Sequence, residues 1–166
     1  MEIVTNAGIR LVDPGHEIVQ VHGVEVGVAG AKGFVGGFPG SRISDFGEPS
    51  LRGLYAETTA EVEALDAGLR TIAACAVRIA LLHYSPSEAT LAGEPEPIWA
   101  LLGSDRLAGP IREHEPDLVL HGHAHAGAFS GEIGTVPVRN VSLPVISQSF
   151  WVTELPASPH PSPSVH

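Results

Sequence analysis

Cysteine is nearly missing from this sequence of 166 residues, which contains only Cys75. A single cysteine cannot form an intramolecular disulfide, so the fold has to be held by its core. Cys75 lies in the apolar stretch TIAACAVRIALL, which predicts a small buried hydrophobic side chain rather than a reactive thiol.

Basic residues are also scarce: 9 lysines and arginines face 19 acidic residues, for a formal net charge of -10. A surface of this sign repels phosphate backbones and anionic lipids, so we expect neither a nucleic-acid-binding surface nor a membrane-binding one. The sequence has no apolar run of the ~20 residues that a membrane helix needs. It also does not open with a basic segment followed by an apolar one, as a secretory signal does. We therefore expect a cytoplasmic protein.

The order of apolar patterns predicts an α/β fold with a mixed sheet. Hydrophobic residues make up 43% of the chain, enough for the core of one domain. Alternating valines around His22 and Gly23 predict a β-hairpin. Apolar residues spaced three and four apart predict an amphipathic helix over 49–75. The remaining predictions are a buried strand over 77–86, two short helices over 98–114, a strand over 117–127, and strands over 135–141 and 144–155.

Histidines follow two of the predicted strands. His83 ends the first apolar run, and the second runs into LHGHAHAG, which contains His121, His123 and His125. Ligand sites of open α/β sheets lie at the carboxyl ends of strands, so neighbouring strands would bring His83 to the cluster. A lone strand histidine is usually a hydrogen-bonded core residue, but several together favour a site for Mn, Fe, Zn or Ni.

Two motifs carry a resemblance to a known family. GHAH (122–125) resembles the GHxH motif of the calcineurin-like metallophosphoesterases, and LLHYSP (81–86) resembles the strand-end histidine motif that precedes it. The resemblance covers most of residues 6–145. It implies a layered α/β/β/α sandwich that hydrolyses a phosphate mono- or diester with a metal-activated water.

The resemblance also implies roles for individual histidines. His83 and His123 would bind one divalent metal ion and His125 the other ion of a two-metal site, and all three would be the catalytic residues. His121 would have a structural or supporting role. Asn140 is interpreted as a turn residue.

The other ligand motifs of this family, DxH, GDxxD and GNHD, are absent, and neither Asp13 nor Asp45 stands in a similar context. Residues 1–155 therefore resemble the C-terminal half of the domain, followed by a Pro/Ser-rich disordered tail at 156–166. We favour a misassigned start at Met1; a second chain that supplies the other half, or a degenerate remnant, is the alternative. An exposed half-sandwich would favour self-association.

Two other classes of function remain open. A non-catalytic metal-binding or interaction module would keep the histidines without the chemistry, and it would take up metal without turnover. A structural domain with incidental histidines would take up no stoichiometric metal. If the isolated chain is an incomplete enzyme, it is expected to be inactive.

Overall fold

The hydrogen-bonded sheet at the centre of the fold is mixed. In the computed structural model, which describes residues 6–157, its six strands lie in the order β1-β2-β3-β4-β6-β5. Strands β2, β3, β4 and β6 run parallel, while β1 and β5 are antiparallel edge strands. The predicted α/β class with a mixed sheet is therefore confirmed. The strands are β1 (Gly15–Val21), β2 (Val24–Ala31), β3 (Val77–Leu82), β4 (Leu118–His121), β5 (Ser130–Ile133) and β6 (Val136–Asn140).

Within residues 6–157, three α-helices and three 3₁₀ turns lie between the strands, and a fourth α-helix follows the last strand. The long helix expected over 49–75 is confirmed as α1 (Pro49–Thr71), which begins with proline in its first turn, where no backbone donor is lost. The others are α2 (Trp99–Leu102), α3 (Ala108–His114) and α4 (Leu143–Ile146), with 3₁₀ turns at Glu88–Thr90, Glu96–Ile98 and Asp105–Leu107. No helix within residues 6–157 is both long and apolar enough to cross a membrane.

The hairpin β1–β2 is confirmed at the predicted turn. His22 and Gly23 both have positive φ, 51° and 83°, as the two central residues of a type I′ turn require. The turn sets the register, which pairs Val21 with Val24 and Gly15 with Gly30. The same register places residue 13 opposite residue 32, just beyond the last pair of the hairpin.

One face of the sheet is covered by α1. Leu65 and Leu69 of the helix, and Ile72 at its C-cap, are at most 1% exposed, and they belong to one cluster with Ala29 and Ala80 of the sheet. Gly27 of β2 permits this close packing, because a Cβ there would lie 2.5 Å from Cβ of Ile72 and 2.9 Å from Sγ of Cys75. Cys75 is buried as predicted.

Gly27→Ala is expected to lower the free energy of unfolding by about 1–3 kcal/mol, because the added methyl group overpacks the contact between helix and sheet. Gly15→Ala is the matched control in the partner strand, since a Cβ at Gly15 meets no atom within 4 Å. Urea denaturation of both variants measures the difference. Equal stability of the two would contradict the packing argument.

The opposite face of the sheet is more open. Leu81 lies in β3, between β2 and β4, and is nevertheless 39% exposed. Val12 covers Gly30 on this side, where a Cβ would strike the Val12 backbone. Open space beside an interior strand gives the carboxyl ends of β2 and β3 access to solvent.

One of the strand predictions is wrong, and another extends too far. Residues 144–155 do not form a strand: Pro144 lies in the first turn of α4, and irregular backbone follows. The strand expected over 117–127 ends at His121, because the chain turns at Gly122. Strand β5 was not predicted, since SGEI has only one buried apolar residue to mark it. Most of the tail predicted at 156–166 lies outside the described residues.

Candidate metal centre

The register of the two central strands brings the histidines together. Strands β3 and β4 are parallel neighbours with Leu81 opposite Leu120, which places His83 level with Gly122. The Gly122 amide donates a hydrogen bond to the His83 carbonyl (3.2 Å). The expectation that neighbouring strands would bring His83 to the cluster is confirmed.

His83 and His123 are in ring contact. Their ring centroids are 4.7 Å apart and the planes are tilted by 51°. Tyr84 contacts both, at 5.3 Å from His83 and 4.6 Å from His123. His123 has a φ of 65°, a left-handed backbone conformation that is uncommon for residues other than glycine and that concentrates at functional sites. The strained backbone turns the imidazole of His123 toward His83.

The surroundings of His83 favour the neutral form of its ring. Burial of part of the ring lowers the pKa of His83 below its ordinary value, and His123 and His125 lower it further. Asp13 acts in the opposite direction and raises it. The neutral form is the one that binds a metal ion.

The three predicted ligands are close but not yet convergent. His125 is exposed, and it lies near enough to His83 to affect the protonation of that ring. Within residues 6–157, no ring nitrogen of His83, His123 or His125 has a hydrogen-bond partner. These nitrogens are therefore free to bind a metal ion. In this conformation, however, the nitrogens of the three rings do not lie close enough together to hold one ion.

A different group does converge. Among the described residues, Asp66, Glu113 and His114 are the group whose ligand atoms all lie within 4.8 Å of one another. They link α1 to α3, and His114 Nε2 lies 2.7 Å from Asp66 Oδ1. Arg70 also pairs with Asp66, and the hydrogen bond from His114 is the main cause that lowers the pKa of this carboxyl. The hydrogen bond with His114 and the ion pair with Arg70 account for the position of Asp66 without a metal.

His121 is a buried structural residue, in agreement with the role implied for it. It is 0% exposed, with Nδ1 at 2.8 Å from the Gly122 carbonyl and Nε2 at 2.8 Å from Thr90 Oγ1. The Nδ1–H therefore donates to Gly122, and the Thr90 hydroxyl donates to Nε2. Ser85 Oγ lies 2.9 Å from Thr90 Oγ1, so its hydroxyl completes the chain. This network fixes the end of β4 from which His123 emerges.

Asn140 is not a turn residue, which corrects the sequence interpretation. It is the last residue of β6, is 0% exposed, and pairs with His121 in the sheet. Its Nδ2 donates to the Ala124 carbonyl (2.6 Å), which also accepts from Ser142 Oγ (3.1 Å). Asn140 thus anchors the segment between His123 and His125.

Asp13 lies near His83, although its sequence context gave no reason to include it. The Lys32 amide donates to Asp13 Oδ1 (2.8 Å), and the Lys32 carbonyl accepts from the His83 amide (3.0 Å). The Gly33 amide donates to Glu61 of α1 (2.9 Å), and this hydrogen bond ties the segment after β2 to the helix. The hairpin register was the signal that could have identified Asp13, because it places residue 13 opposite residue 32.

Comparison with known proteins does not assign a family. No family profile matches the chain, and no curated protein matches it. A solved structure described as "Putative 5'-Nucleotidase from Staphylococcus aureus in complex with alpha-ketoglutarate" is similar at 16% sequence identity and a TM-score of 0.44. The match covers 76% of this chain, which spans only 23% of that protein. A likeness this distant decides neither family nor function.

Proposed function

We propose that the chain binds a divalent transition-metal ion through His83, His123 and His125 and serves the hydrolysis of a phosphate ester. The contact between the His83 and His123 rings, at the carboxyl ends of adjacent parallel strands, is the observation that carries the proposal. The resemblance of GHAH and LLHYSP to metallophosphoesterase motifs supports the same reaction class. It is also the basis for phosphate esters as the substrate.

The donor set fits an ion of the Mn, Fe, Zn or Ni class. Neutral imidazoles are good ligands for these metals, and partial burial, together with the neighbouring imidazoles, lowers the pKa of His83. His83 and His123 are held by the backbone of β3 and by the loop after β4. His125 is exposed, so packing does not hold its side chain in one orientation. Mn, Fe, Zn or Ni in this position would polarise the phosphate ester and lower the pKa of a bound water.

The protein's own residues prepare the site in three ways. The His121–Thr90 hydrogen bond and the Asn140 anchor hold the backbone on both sides of His123. Tyr84 packs against the rings of His83 and His123 and limits their rotation. The open sheet face beside Leu81 leaves room for an ester to approach.

Metal uptake and turnover of the wild-type chain test this proposal together. The protein is loaded with Mn²⁺, freed of excess ion, and assayed for metal per chain and for hydrolysis of bis-p-nitrophenyl phosphate. Metal-dependent turnover supports the proposal, and the stoichiometry distinguishes one ion from the two that the resemblance implies. Absence of both bound metal and turnover would reject it.

A non-catalytic metal-binding module is the second candidate. The lack of tight convergence among the three histidine nitrogens favours it, since an enzyme site is usually organised before substrate binds. This candidate predicts stoichiometric metal without hydrolysis of the ester. The same preparation therefore separates the two functions.

A further inference from the structure

The inner parallel strands are buried on one face only. Ala29, Ala80 and Val119 lie on the side of α1 and α3 and are 0% exposed in the main core cluster. The residues that alternate with them lie on the other side and are half-buried or exposed: Val28, Ile79, Leu81 and Leu120. Parallel strands are usually covered on both faces. No element of residues 6–157 buries this second apolar surface, which is the open sheet face.

The open sheet face is continuous across β2 and β3. A Cβ at Gly30 would lie 1.9 Å from the Val12 carbonyl oxygen, so Val12 occupies the space that a side chain at residue 30 would fill. Leu81, level with Gly30 in the next strand, is 39% exposed. A contiguous aliphatic surface of this kind is typical of a place where another apolar surface packs.

Opposite charges border the two sides of the open sheet face. Glu17 of β1 is in register with Val28, and Arg139 of β6 is in register with Leu120, so both positions are on the open side. Strand β3 is midway between β1 and β6 in the sheet order. Glu17 pairs with Arg10 at the exposed surface. Arg139 donates to backbone carbonyls, and no carboxylate of residues 6–157 pairs with it.

We propose that two copies of this chain pack through the open sheet face, related by a two-fold axis that runs along β3. This axis places β1 of each copy over β6 of the other and brings each Glu17 to the partner's Arg139. A two-fold axis across the strands would place β1 over β1 and β6 over β6, with like charges opposed, so the charges select the first arrangement. A two-fold interface needs one patch that is complementary to itself, and this face meets that condition.

The same axis brings the histidines of both copies to one end of the dimer. His83 continues the alternation of Ile79 and Leu81, and it shares a cavity of about 230 Å³ with Leu81. Packed sheets lie about 10 Å apart, so the two pairs of His83 and His123 would border one gap. Their four imidazoles make up the tetrahedral set that Zn²⁺ prefers, whereas the nitrogens of one chain do not converge.

The shared metal site rests on the proposed function, whereas the packing of the open sheet face does not. His83 lies past the last residue of β3, Leu82, and therefore at the end of the interface rather than within it. The carboxyl ends of the strands stay uncovered in this arrangement, so an ester can approach from there.

Analytical ultracentrifugation in EDTA tests the interface without metal. We expect the wild-type chain to form a dimer, and Leu81→Arg to raise the dimer Kd by about 100-fold or more, because it buries an unpaired charge. Leu101→Arg is the matched control, since Leu101 is 56% exposed in α2, away from the sheet. A monomeric wild-type chain would mean that something other than a second copy covers the face. That result, or equal losses in the two variants, would overturn the inference.

Exchange of the two border charges tests the direction of the axis. Glu17→Arg and Arg139→Glu each oppose like charges twice in a dimer, so each variant alone is expected to raise the Kd by about 10-fold. A mixture of the two variants restores both opposite pairs. We therefore expect the mixture to form a heterodimer with nearly wild-type affinity, while melting temperatures report the folding of each variant. Failure of the two variants to complement each other would reject this axis.

Zinc stoichiometry keeps this inference distinguishable from the proposed function. One Zn²⁺ per two chains, with a dimer that Zn²⁺ tightens in the wild type but not in His83→Ala, supports the shared site. One Zn²⁺ per chain with no change in dimer affinity would reject the shared site and leave the proposed function intact. A dimer in EDTA that takes up no metal would instead support the interface and reject the proposed function.

Discussion

His123→Ala is expected to weaken Mn²⁺ binding by more than about 100-fold. His123 is in ring contact with His83, and its strained backbone turns the imidazole toward that residue. Loss of an outer-shell partner commonly costs 10–100-fold in metal affinity, and loss of a direct ligand exceeds that range. Isothermal titration calorimetry measures the affinity, and any hydrolysis of bis-p-nitrophenyl phosphate is expected to fall in parallel.

His114→Ala is the matched control, because it removes a histidine from the group that Asp66, Glu113 and His114 form between α1 and α3. We expect this variant to bind Mn²⁺ within about twofold of wild type. Loss of binding in His114→Ala with full binding in His123→Ala would place the ion between the helices. The proposal for the strand-end histidines would then be wrong.

Acidification from pH 6.5 to pH 4 is expected to remove about 3 kcal/mol of the free energy of unfolding through His121 alone. Burial lowers the pKa of His121 from 6.5 to about 4. The unfolded chain therefore binds a proton on this ring at a higher pH than the folded chain does. The stability that the neutral ring provides is complete above pH 6.5 and is lost as the pH falls through that interval.

His121→Asn isolates this contribution from the other titrating groups. The asparagine amide can still donate toward Gly122, but it carries no titrating ring and does not reach Thr90. We expect the variant to be less stable at pH 7.5 and its deficit to shrink as the pH approaches 4. Parallel stability curves for the two proteins, measured by urea denaturation at a series of pH values, would show that His121 does not control the acid response.

Much of the fold follows from local patterns. The hairpin was predictable because His22 and Gly23 suit a turn that requires two positive φ values, and α1 because its apolar spacing extends over six turns. The strand prediction for the segment after β6 was wrong. Val145, Ile146 and their neighbours have strand propensity, but Pro144 lies in the first turn of a short helix. A single proline outweighed the β-branched residues there.

The site was predictable only in part, because its contacts join distant segments. The positions of His83 and His123 at strand ends indicated a shared site, and the parallel pairing of β3 and β4 brings them together. Asp13 was excluded on motif context, yet the sheet register places it beside Lys32. Asn140 was misinterpreted because the residues around it in the sequence do not indicate its buried hydrogen bonds with Ala124 and Ser142.

The parallel pairing of β3 and β4 also determines when the histidines can meet. The chain between these strands contains α2, α3 and three 3₁₀ turns, all of which have to be placed before His83 reaches His123. Long-range parallel contacts of this kind form late in folding, because the loop must close first. An ion bound by both rings would therefore stabilise only the fully assembled chain, by about 1.4 kcal/mol for each tenfold excess over its dissociation constant. Its main kinetic effect would be to slow unfolding rather than to speed folding.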